Sequence, residues 1–104
     1  MRIISPEIGN DLREIPDGDW LMGKCDENDG EMANFRIKGV EISEEDLSEM
    51  SFEHCIFEGC RLTNCKFMGV ELTDVVFKSC DISNCNFTKA DIIRCEFLST
   101  KGVG

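Results

Sequence analysis

A chain of 104 residues has the length of one domain, and its 21 acidic against 11 basic residues leave a formal net charge of −10. That balance excludes direct binding to nucleic acid or to an anionic membrane, both of which need a basic face. No apolar run approaches the ~18 residues of a membrane span and no secretory leader is evident, so a soluble, cytoplasmic protein is expected.

The charge is uneven. Residues 1–50 hold fourteen acidic groups and five basic ones, whereas residues 51–104 hold seven and six. The acid is therefore concentrated in the N-terminal half.

In chain order, Arg2-Ile3-Ile4 reads as an edge strand, and Ser5-Pro6-Glu7 as a helix start with Ser5 at the N-cap. Pro16-Asp17-Gly18-Asp19 reads as a turn. Residues 1–34 form an irregular, acidic N-terminal cap on this reading. Trp20 is the expected plug over the end of whatever follows, because a solenoid end must be covered.

From Met50 to Phe97 a small apolar residue recurs every five positions, with Phe, Leu or Ile two places later: Cys55/Phe57, Cys60/Leu62, Cys65/Phe67, and on to Cys95/Phe97. Five matches neither the helical period near 3.6 nor the strand period of 2. Within each unit the two apolar residues lie two apart and share a face. The next step of three is odd, and in a straight strand it would turn the following pair outward. Each unit must therefore end in a corner. The corner positions are Gly39, His54, Gly59, Asn64, Gly69, Asp74, Ser79, Asn84, Lys89, Arg94 and Ser99, many of them turn residues.

Phe fills the larger inward position at 57, 67, 77, 87 and 97, and Leu or Ile at 62, 72, 82 and 92. A ten-residue alternation stays in register only on a coil with an even number of sides. With four sides, Phe57, Phe77 and Phe97 stack on one wall and Phe67 and Phe87 on the opposite one. Regular coiling is expected over 35–99, with 100–104 as a tail.

These units, above all Cys80-Asp81-Ile82-Ser83-Asn84 and Cys85-Asn86-Phe87-Thr88-Lys89, resemble the pentapeptide-repeat family. The resemblance implies an all-β, right-handed quadrilateral parallel β-helix of about three coils. It carries no catalytic residues. Some members mimic duplex DNA and bind DNA gyrase, which makes such mimicry one functional expectation for an acidic rod.

Six of the seven cysteines occupy the small inward site, where Cys acts as a compact hydrophobe. Five-residue spacing with one histidine does not suit zinc, and parallel stacked side chains do not suit disulfides. No cofactor is expected. Two surface patches stand out: the outward apolar pair Ile56 and Val76, and the acidic run Glu44, Glu45, Asp46 and Glu49. Either suits a protein partner. His54 next to Glu53 reads as a solvated histidine. The expected function is a non-catalytic binding or scaffold protein. The alternatives are gyrase-binding mimicry, and a fragment of a longer solenoid without activity alone. An exposed coil end also suits a homodimer.

Overall fold

Every inward pair of the repeat faces the axis of a four-sided parallel β-helix in the computed structural model, which describes residues 6, 8, 9, 11–27 and 29–102. The edge strand expected at Arg2–Ile4 and the helix start at Ser5 and Glu7 lie outside those residues.

From Glu31 onward strands pair with their counterparts twenty residues on, so one coil is four units. The Arg13–Ile15 strand pairs across twenty-two, the helix of the cap lying between. The first wall holds β2 (Glu31–Ala33), β5 (Ser51–Glu53), β8 (Glu71–Thr73) and β10 (Asp91–Ile93). The second holds β1 (Arg13–Ile15), β3 (Phe35–Lys38), β6 (Ile56–Glu58), β9 (Val76–Lys78) and β11 (Glu96–Leu98). The third begins with β4 (Glu41–Ser43) and β7 (Arg61–Thr63) and continues through bridges from Arg61 to Asp81 and from Asp81 to Lys101. Bridges from Asp46 to Lys66 and from Lys66 to Asn86 make the fourth. The ladder thus reaches back past Phe35 to Glu31 on the first wall and to Arg13 on the second, and forward to Lys101.

The corners explain why a chain with so few glycines can coil. All eleven corner positions read from the period have positive φ, from 48° at Ser99 to 69° at Gly69. Only Gly adopts that region without strain, and Asn or Asp at small cost. From Gly39 to Ser79 each corner amide donates to the next coil, which holds even His54 and Ser79 there: His54 N–H donates to Thr73 O at 3.0 Å and Ser79 N–H to Leu98 O at 2.8 Å.

The core is a column of stacked side chains. Phe57, Phe77 and Phe97 lie on the second wall with ring centroids 4.6 and 5.1 Å apart and ring planes nearly parallel. On the fourth wall, which faces it, Phe67 and Phe87 stack at 4.9 Å. The even-sided expectation is met. Aromatic pairs of this kind contribute ~0.5–1.5 kcal/mol beyond the area they bury.

The cap departs from the reading of the sequence. It contains a helix, α1 (Gly18–Glu27), placed between β1 and β2 where a coil would have its third and fourth walls. The tight turn expected at Pro16–Asp19 is the helix start. Asp17 is the N-cap, its carboxylate accepting the Trp20 amide at 2.8 Å, an interaction that contributes ~1 kcal/mol. Asp19 in the first turn and Lys24 in the last complement the helix dipole. The helix ends where Asp29 and Gly30 take positive φ and the Gly30 amide donates to Cys25 O at 2.7 Å.

Leu21 and Cys25, four apart on one helix face, are buried and close the column, while Trp20 is 41% exposed. Trp20 is therefore not the plug. Its ring faces outward beneath Lys24 Nζ, 5.4 Å from the centroid. Cys25 keeps the five-residue phase by coincidence, because the i, i+4 spacing of a helix face buries it.

Candidate functional site

Outward side chains repeat every twenty residues, so each wall carries vertical columns of surface groups about 4.8 Å apart. The columns decide what each face offers. On the second wall Arg36, Lys38, Glu58, Lys78 and Glu96 mix both signs, and Arg36 reaches Glu58 at 3.3 Å. The third wall alternates Glu41, Arg61, Asp81 and Lys101, with Arg61 and Glu41 at 3.6 Å. The fourth pairs Asp46 with Lys66 across one rung.

The first wall differs. Its outward charges are Glu31, Glu53, Glu71 and Asp91, all exposed, and the wall holds neither Lys nor Arg. Asp29 and Glu49 extend the acid along one edge, while Lys89 and Arg94 flank only the last rung. An open groove of about 470 Å³ at the head of this wall is lined by Asp29, Glu31 and Glu53, with Arg13 of the neighbouring wall on its far side over Phe35. The acid is thus not confined to the N-terminal end.

The patches read from the sequence are present but separate. Ile56 and Val76 pair in register on the second wall, both half-buried. Glu44, Glu45, Asp46 and Glu49 are all exposed and wrap the fourth wall and its corners. These two patches face opposite directions and cannot contact one flat partner surface together. Asp46 is also engaged locally. Its carboxylate accepts the Ser48 amide at 2.9 Å, and hydrogen bonding from the Ser48 side chain and amide lowers its pKa. Asp81 is lowered in the same way by Ser83, with the positive charges of Lys101 and Arg61 adding to the effect.

His54 is not a free solvated histidine. Its corner stacks over those of Asp74 and Arg94, and Nδ1 lies 3.9 Å from Asp74 Oδ2. Asp74 is only 1% exposed and is held by Arg94 in a two-pronged contact, Nε to Oδ1 at 2.7 Å and a terminal nitrogen to Oδ2 at 2.8 Å. Bidentate geometry of this kind is the strongest carboxylate pairing available to a side chain. The three residues tie three successive coils together at one corner.

At the C-terminal end the last coil is less covered than the rest. Phe87, Ala90, Cys95 and Phe97 are only partly buried, while Ile92, Ile93 and Leu98 are 48%, 50% and 44% exposed.

The family model described as "Pentapeptide repeat region" matches residues 31–104, the segment that begins with β2. The chain belongs to the pentapeptide repeat family. Among solved structures, this pentapeptide-repeat chain is similar to the crystal structure of a pentapeptide repeat protein, Rfr23, from the cyanobacterium Cyanothece 51142. Identity is 13% and the TM-score 0.34, over 67% of this chain and 62% of that one. No curated protein matches the chain. Among the described residues, no helix is long and apolar enough to cross a membrane.

The first-wall acids and the Asp74–Arg94 contact escaped a reading made along the chain. Glu31, Glu71 and Asp91 are far apart in sequence and fall on one column only once the coil closes. Writing the sequence in rows of twenty would have aligned them.

Proposed function

We propose that this pentapeptide-repeat protein is a non-catalytic binding module that presents its first wall to a basic surface of a partner protein. The observation that carries this reading is the single sign of charge along Glu31, Glu53, Glu71 and Asp91, against mixed signs on the other walls. A rigid wall of one sign speeds encounter with an opposite surface and sets its register. The family supports the absence of catalysis.

The test is charge reversal by wall. A first-wall variant (Glu53→Lys and Glu71→Lys) should lose most of its salt-dependent binding to immobilised polylysine. A third-wall variant (Glu41→Lys and Asp81→Lys), with the same net charge, should keep it. Equal losses would mean that overall charge, not the wall, binds.

Duplex-DNA mimicry with gyrase as partner is the second reading, favoured by the length of the stripe. Charge density opposes it. Four carboxylates span three rung steps, ~14 Å, where duplex DNA would carry ~8 charges. A gyrase supercoiling assay unaffected by micromolar protein would end that reading. The partly covered last coil supports end-to-end pairing of two copies, and light scattering at the monomer mass would remove it.

A further inference from the structure

Two outward columns change character on the last coil. On the first wall the column of Ala33, Glu53 and Thr73 ends in Ile93. On the second the column of Lys38, Glu58 and Lys78 ends in Leu98. Ile93 is 50% and Leu98 44% exposed, and both face out of their walls, so stacking within the column does not account for them. On the same rung the inward Ile92 is 48% exposed, and Phe87 and Phe97 are only partly covered. Large apolar side chains grouped on an otherwise polar surface mark a place of contact.

Charge and the closed head of the column say what covers this surface. Residues 11–29 hold seven acidic groups against two basic ones, so two heads repel each other. Ile15, Leu21 and Cys25 are buried there, so the head presents a closed column to an incoming tail. On the last rung Lys89, Asp91, Glu96 and Lys101 carry two charges of each sign, and Arg94 reaches back one coil to Asp74 at 2.7 Å. A rim of mixed sign can meet its own copy, each cation facing an anion across a two-fold axis. Tail against tail therefore covers apolar surface without setting acid against acid. We propose that Ile93 and Leu98, with Ile92 between the walls they face from, form the contact through which two copies of this chain pair about a two-fold axis. This rests on the end-to-end pairing raised above and gives it a surface. Such a contact is isologous and closes at two copies. It leaves Glu31, Glu53 and Glu71 open on both copies, so the dimer carries two acidic walls.

Analytical ultracentrifugation of the reduced, full chain over a concentration series reads the association, and circular dichroism reads the fold. The chain should pass from monomer to dimer and stop there. Ile93→Thr with Leu98→Lys brings in the residue types that Thr73 and Lys78 already place in the same columns one rung back. That double variant should keep the β-sheet signal and weaken the dimer by more than about 30-fold, the effect of losing a hot-spot residue. Thr73→Ser with Lys78→Thr, in the same columns, should leave the dimer unchanged. Added salt should tighten the dimer by screening two chains of net charge −10, whereas it loosens polylysine from the first wall. Polylysine should still bind the Ile93→Thr, Leu98→Lys variant, so this contact and the first-wall reading fail separately. A chain that stays monomeric throughout removes the pairing itself. A dimer that survives Ile93→Thr with Leu98→Lys, or that Thr73→Ser with Lys78→Thr weakens equally, leaves pairing in place and overturns this surface. Association that runs on past two copies overturns the two-fold contact.

Discussion

Replacing Arg94 with alanine isolates the corner clasp that joins the last coil to the one before it. In the native fold Asp74 is almost wholly removed from water and both of its oxygens accept from the Arg94 guanidinium, at 2.7 and 2.8 Å. Arg94→Ala would leave a buried carboxylate without its main partner. Breaking a fully buried pair in this way costs ~3–5 kcal/mol. The guanidinium is 41% exposed, so water takes over part of its role and the expected loss falls to ~2–3 kcal/mol. Asp74→Asn provides the control, because Asn tolerates the positive φ of 54° at this corner and carries no charge to strand. Urea unfolding followed by circular dichroism, with unchanged m-values, would give the four corners of a double-mutant cycle. The double variant should be more stable than Arg94→Ala alone. If Arg94→Ala costs under ~0.5 kcal/mol, or the double variant is the least stable of the set, the carboxylate is not dependent on this contact and the reasoning fails.

Phe77, stacked between Phe57 and Phe97, should cost ~3–5 kcal/mol when cut to alanine, while the neighbouring outward Lys78→Ala should be nearly silent in the same denaturation assay. Two glycines separate backbone strain from crowding. Gly59→Ala has open space around the new Cβ and should lose only the ~1–2 kcal/mol of its left-handed φ, whereas Gly102→Ala would meet the Ile82 backbone at 2.8 Å and should melt lower. Asp81 is held below its ordinary pKa by Ser83, so its contribution is complete above the unfolded value near 4 and is lost as pH falls through the folded one. NMR titration of Ser83→Ala should show the Asp81 pKa moving up; no movement would remove Ser83 as the cause.

What followed from the sequence alone was side-chain direction within the repeat, though not in the cap, where Trp20 faces outward. An odd period forces a corner, and all the named corners, down to the unfavourable His54, Lys89 and Arg94, adopt the required backbone. The alternation of Phe with Leu or Ile implied four sides, and the stacked rings on facing walls obey it. Three features were settled only by the tertiary structure. The cap is a helix because Leu21 and Cys25 meet the open top of the column, a contact that no pattern within residues 18–27 announces. The acidic first wall and the Asp74–Arg94 clasp each join residues twenty or more apart. Periodicity says which way a side chain points. Only closure of the coil brings residues from different turns to within about 5 Å, where charge and hydrogen bonding act.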